Sequence, residues 1–234
     1  MEDTGAMCPN ETPQALVFDF DGTLVNSQID FGLMRRRVGE HLAAWGFTPE
    51  PAATRMILEA VDWARGQLTE RSPGQAEQYY REAQAIIWEV ERPFCERAEL
   101  FPGVAEALAQ ARAAGVRLGI ITRNSRAGVD LALARHPLPV QAIVTREDVS
   151  QVKPHPQHLR LALERLGVSP DRAWMIGDHP TDIICGREAG TRTGAVLNTG
   201  TSAEEFRRLG ADLVCEDTPR LVQCLLTGRR ACPC

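Results

Sequence analysis

Leu16-Val17-Phe18-Asp19-Phe20-Asp21-Gly22-Thr23-Leu24-Val25 is the stretch that decides the fold. Leu16, Val17, Phe18 and Phe20 suit a buried strand, and Gly22 allows a sharp turn, so Asp19 and Asp21 are expected to emerge together at the strand's carboxyl end. Open α/β sheets bind their ligands at that edge. Two carboxylates held so close repel each other, and the arrangement is costly unless a divalent cation, a shared proton or a cationic side chain offsets it. A pair of solvated turn aspartates fits poorly after so apolar a run.

Beyond this strand the pattern turns helical. Met34, Val38, His41, Leu42 and Trp45 fall at i, i+4, i+7, i+8 and i+11, one face of a helix. Residues 49–68 and 74–90 read as two further helices, with Pro93 ending the block. From Phe101 onward helix and strand alternate: helix 102–114, strand 116–122, helix 125–135, strand 140–144, helix 156–166 stopped by Gly167, strand 173–176, helix 181–189, strand 193–197 and a short final unit. Such alternation predicts an α/β fold, a Rossmann-like parallel sheet with helices on both faces. Residues 14–26 and 98–228 are then the core domain, residues 27–97 an inserted all-helical cap, and residues 1–13 and 229–234 flexible termini.

The strand ends of a parallel sheet share one edge, and here they gather polar groups. Thr122, Arg123 and Asn124 close the second core strand, Lys153 follows the third, and Gly177-Asp178-His179-Pro180-Thr181-Asp182 closes the fourth. Lys153 is the single lysine among 26 basic residues. Where arginine has otherwise replaced lysine throughout, a retained lysine points to a site that needs a compact ammonium and not a planar guanidinium.

In this set the chain resembles the haloacid dehalogenase superfamily, in particular its phosphoglycolate-phosphatase-like members with a helical cap after the first motif. The residues that carry the resemblance are Asp19-Phe20-Asp21-Gly22-Thr23, Thr122, Lys153, and Gly177-Asp178 with Asp182. The resemblance implies a phosphomonoester hydrolase in which Asp19 is the nucleophile and forms an aspartyl-phosphate. Asp19, Asp21 through its carbonyl, and Asp178 would hold Mg²⁺; Thr122 and nearby amides, with Arg123 and Asn124, would bind the phosphoryl group. Lys153 would neutralise Asp19 and the phosphate, Asp182 would position Lys153 or a metal-bound water, and Asp21 would act as general acid and then base. Dehalogenases proper lack an aspartate at the position of Asp21, and phosphonate-cleaving relatives use a cap lysine that this cap does not have. A phosphomutase of the same superfamily shares every core motif and stays open, as does a catalytically idle binding protein of the same fold.

Composition sets the outer bounds. With 44% hydrophobic and 24% charged residues and a net charge of −5 over 234 residues, the chain suits a globular protein with no nucleic-acid footprint. No apolar run approaches a membrane span and the acidic start lacks the features of a secretory signal, so a cytoplasmic protein is expected. The resemblance, with a cap that should close over the core edge, implies a small phosphorylated metabolite as substrate, and a monomer or homodimer is expected. Seven scattered cysteines do not resemble a disulfide framework, and Cys232-Pro233-Cys234 is given no role. Arg35, Arg36 and Arg37 fan around their helix and read as salt-bridge partners; Trp63, Tyr79, Tyr80 and Trp88 read as cap core. His155 and His158 lack a third zinc ligand. His179 fits either the cleft or a helix start, and Thr199-Gly200-Thr201 reads as a turn.

Overall fold

The four side chains of β1 (Ala15–Phe18) are fully buried and divide between two faces: Leu16 and Phe18 point into one hydrophobic cluster, Ala15 and Val17 into another. The computed structural model describes residues 12–48 and 54–228. The expected flexible termini and the Cys-Pro-Cys tail lie outside the described residues, apart from residues 12 and 13.

Chain contacts divide the protein into two units, one running up to Ser27 and resuming at Ala98, the other Gln28–Arg97. The first holds a six-stranded sheet in which every pair is parallel. After the short β2 (Val25–Asn26) and β3 (Glu99–Leu100), its strands are β4 (Arg117–Ile121), β5 (Ala142–Val144), β6 (Ala173–Gly177), β7 (Arg192–Val196) and β8 (Leu213–Cys215), in the order β5-β4-β1-β6-β7-β8. The order runs outward in opposite directions from β1, so the topological switch lies at the central strands β4, β1 and β6, where α/β sheets open their ligand crevice.

Before the core helices come, among the described residues, α1 (Phe31–Ala44), α2 (Ile57–Thr69) and α3 (Pro73–Cys95) of the second unit. Helices α4 (Val104–Ala113) and α5 (Arg126–Arg135) then follow, with α6 (Gln157–Leu166), α7 (Pro180–Ala189), α8 (Ala203–Arg208) and α9 (Thr218–Thr227) completing the chain. Leu108 of α4, Val129 of α5 and Leu221 of α9 join the cluster on the Leu16 face, while Leu159 and Leu163 of α6 and Cys185 of α7 join the Val17 face. Both faces are thus covered, which explains why the strands read as continuous apolar runs.

In the second unit α1 buries Met34, Val38 and Leu42. Tyr79 is fully buried, its ring stacked on His41 with centroids 5.0 Å apart. Trp63 packs edge-on against Phe47 at 5.3 Å. Arg36 and Arg37 pair with Glu40 and Glu89, and Arg35 donates to the carbonyl of Arg55.

Two details depart from the sequence reading. The third helix continues through Pro93 to Cys95; the proline falls in the last turn, where the helix ends two residues later in any case. Strands β2 and β3 form an antiparallel pair, Val25 with Leu100 and Asn26 with Glu99, too short to leave a periodic signal. Cys95, Cys185 and Cys224 are buried. Among the described residues no helix is long and apolar enough to cross a membrane.

Candidate active site

The turn after β1 builds the first part of the site. Gly22 has φ +85°, and a Cβ there would run into the carboxylate of Asp178, so both the turn and the approach of β1 to β6 require glycine. Gly177 plays the same part at the end of β6, where a Cβ would overlap the Asp182 carboxylate. Asp19, Thr122 and Asp178 each lie just past the end of one of the three central strands, at the switch point of the sheet.

Lys153 ties these ends together. Its ammonium lies 2.6 Å from Asp19 Oδ1 and 2.7 Å from Asp182 Oδ1, and its side chain is 2% exposed. Burial works against this charge, yet Asp182 and Asp19 outweigh it and hold the ammonium pKa above its ordinary value. Asp182 has both oxygens engaged: Oδ1 by Lys153, and Oδ2 by the backbone N–H of His179, which it caps at the start of α7. The remaining donor to Asp19 is the backbone N–H of Phe20, also on Oδ1, at 2.7 Å. The hydrogen bonds to Asp19 among the described residues thus leave Oδ2 open.

Asp21 is held through Oδ2, which accepts from Asn124 Nδ2 at 3.0 Å and, at a longer 3.4 Å, from Thr122 Oγ1. Its Oδ1 is buried with no hydrogen-bond partner among the described residues. Burial pushes this carboxyl above the ordinary range, against the pull of Ser27 and Asn124. Asp178 is oriented by two hydroxyls, Thr23 Oγ1 on Oδ1 at 2.6 Å and Thr199 Oγ1 on Oδ2 at 2.5 Å. Asn198 next door donates to the carbonyl of Gly22 at 2.9 Å.

Oxygens of Asp19, Asp178 and Asp182 lie within 4.8 Å of one another. Burial raises the pKa of all three carboxyls. Counting Asp21, four carboxyl groups face one ammonium, and a hard divalent cation suits this surplus of oxygen ligands and negative charge. Asp182 is the least available of them, because its side chain is wholly buried and its Oδ1 is taken by the Lys153 ammonium. The open oxygen of Asp19 and the spare lone pairs of Asp178 are where a cation fits.

Comparison with known proteins agrees with this geometry. Residues 16–196 match the family model of haloacid dehalogenase-like hydrolases. The chain belongs to that hydrolase family. Within it, the chain is 31% identical over 220 residues to a phosphoglycolate phosphatase of Rhodospirillum rubrum, covering 88% of each. It is 39% identical over 103 residues to the pyrophosphatase PpaX of Bacillus cereus, 43% of this chain and 48% of that protein. The match thus spans about half the length of the pyrophosphatase relatives. A protein from Bacteroides fragilis described as a haloacid dehalogenase-like hydrolase superposes with a TM-score of 0.67 at 25% identity, over 89% of this chain and 99% of that one.

Seven of the eight residues singled out in this hydrolase's sequence form one interlocked cluster: Asp19, Asp21, Thr122, Asn124, Lys153, Asp178 and Asp182. The eighth, Arg123, donates from Nη1 to the carbonyl of Lys153 at 2.6 Å. Asn124, expected on the phosphoryl group, instead bonds Asp21 and caps its own neighbour Ser125. Sequence reasoning missed Thr23, Asn198 and Thr199 as supports. Thr23 was legible as part of Asp-Gly-Thr, whereas Asn198 and Thr199 follow an apolar strand with no feature that distinguishes them from an ordinary turn. His179 is the N-cap of α7, its Nδ1 accepting from the backbone N–H of Thr181.

Proposed function

We propose that the protein is a magnesium-dependent phosphomonoester hydrolase that acts on a small phosphorylated metabolite through an aspartyl-phosphate on Asp19. The observation that carries this reading is the buried Lys153 ammonium between Asp19 and Asp182, beside Asp21 with one oxygen left without a partner.

A phosphate ester and a carboxylate repel each other, so attack requires cationic screening and donors for the phosphoryl oxygens. Lys153 supplies one positive charge at Asp19. Asp19, the main-chain carbonyl of Asp21 and Asp178 would hold Mg²⁺, which when bound adds screening and polarises the phosphoryl group. Asp19 attacks phosphorus, the P–O bond to the leaving group breaks, and Asp21 delivers its proton to the departing alkoxide. Asp21 then takes a proton from the water that attacks the aspartyl-phosphate, releasing inorganic phosphate and restoring Asp19. The raised pKa of Asp21 suits the first half of this cycle, because a carboxyl that stays protonated has a proton to give. Thr122 and the amides that follow it would receive the phosphoryl oxygens, and Asp182 orients Lys153.

The name of the Rhodospirillum rubrum relative, matched along most of both chains, makes phosphoglycolate the first ester to try. The test is phosphate release from a panel of phosphoglycolate, sugar phosphates and pyrophosphate, with and without Mg²⁺. One phosphate per ester consumed, only with the metal, is expected. Isomerised sugar phosphate with little free phosphate would make the protein a mutase, and no turnover of any ester would make it a binding protein.

A further inference from the structure

Lys153 carries a long side chain with four rotatable bonds, so two carboxylates at its tip do not by themselves fix where its main chain lies. The main chain is held separately, by two side chains. Its carbonyl accepts from Arg123 Nη1 at 2.6 Å, and its N–H donates to His158 Nδ1 at 3.3 Å. Residues 153–156 lie outside any helix or strand, so no backbone ladder does this work.

His158 stands in the first turn of α6 and is fully buried. Since the N–H of Lys153 points at Nδ1, that nitrogen is the acceptor and Nε2 carries the proton. Nε2 donates to the carbonyl of Val144, the last residue of β5, at 3.1 Å. The same carbonyl accepts from the backbone N–H of Thr122 at 3.0 Å. The imidazole therefore spans from the strand edge that carries Thr122 to the loop that carries Lys153. Burial, with the Lys153 ammonium close by, lowers its pKa to about 3, which keeps the ring neutral and Nδ1 free to accept.

We propose that His158 is a positioning residue: its ring sets the main chain of Lys153 relative to Thr122, and so aims the ammonium at Asp19. This rests on the reading of Lys153 as the screening charge for Asp19, but the placement itself can be measured without turnover.

Two conservative variants separate the two ring bonds. His158→Asn keeps an acceptor near the position of Nδ1, and His158→Gln keeps a donor near that of Nε2; both lose imidazole volume from the same buried site. Misplacing a reacting group by about an ångström costs on the order of 100-fold. We expect His158→Gln to lower kcat by about 10- to 100-fold with KM within about twofold, and His158→Asn to recover most of the loss. A purely structural role would instead make activity follow the thermal midpoints of the two variants. Because Lys153 is the single lysine, an amine-selective reagent reports it against only the N-terminal amine. Its labelling should rise in His158→Gln and stay low in His158→Asn. Equal labelling and equal kcat in both would overturn the proposal; altered labelling in an inactive protein would leave it standing while removing the proposed function. Should neither variant fold, selective ¹⁵N-lysine labelling of the unaltered protein gives one backbone amide signal. Slow solvent exchange of that amide is the expected result, and fast exchange would overturn the proposal.

Discussion

The core and the inserted helical unit use the same kinds of charged side chain in opposite ways. In the second unit Arg37 reaches Glu89 at 2.6 Å, yet the two side chains are 35% and 61% exposed. In the core Lys153 reaches Asp19 at the same 2.6 Å with 2% and 12% exposed. Equal distances thus conceal unequal physics. The exposed pair is screened by water and salt and its loss is absorbed by solvent, whereas the buried set is over-supplied with carboxylates and carries raised pKa values throughout. Charges that are costly to keep buried mark chemistry, and charges that are cheap to keep mark a solvated helix face.

Four experiments press on this contrast, from the largest expected effect to the smallest. Asp19→Asn removes the nucleophile and one buried charge of a crowded set, so turnover should fall by about 10⁴-fold or more. Its thermal midpoint should stay at or above that of the unaltered protein; surviving turnover would clear Asp19 of the role. Lys153→Arg keeps the charge but forces a planar fork into a point-charge site bounded by Asp19 and Asp182. A loss of about 10²–10³-fold in kcat is expected, and near-normal rates would make the lone lysine an accident of composition.

The third experiment concerns pH. The folded-state pKa of His158 is lowered to about 3 from an ordinary 6.5, so between these values the unfolded chain binds a proton that the folded one does not. Stability from this residue is therefore full above about pH 6.5 and declines as the pH falls towards 3. Urea unfolding at pH 6.5 and 5 should show a loss of roughly 1–2 kcal/mol that His158→Asn largely abolishes. An unchanged pH dependence in that variant would count against a neutral, buried ring. The last substitution is Arg37→Ala, expected to cost about 1 kcal/mol or less. A loss as large as a buried pair gives would break the contrast between the two units.

Much of this core was legible in the sequence because its chemistry sits where chain direction changes. Asp19, Thr122 and Asp178 follow apolar strands, and parallel alternation alone brings such ends to one edge. The short-range helix stop at Gly167 was equally readable, a left-handed position that closes α6. What escaped notice depends on contacts between distant segments. Thr199 reaches Asp178 across 21 positions, and Arg123 reaches the Lys153 carbonyl across 30. His158 was weighed as a zinc ligand and set aside, but its actual partners are two backbone groups, which no residue pattern encodes. In the second unit the first helix announced itself by periodicity, while α3 runs on through Pro93 to Cys95 because the proline falls in its last turn.

The central claim is that Asp19 carries the phosphoryl group during turnover. Rapid acid quenching of the enzyme with ³²P-labelled substrate and Mg²⁺, followed by mapping of the labelled peptide, tests it most directly. The account predicts hydroxylamine-sensitive label on the peptide containing Asp19, longer-lived in Asp21→Asn and absent in Asp19→Asn. Phosphate release at full rate with no protein-bound label in any variant, or label on a different residue, would contradict it.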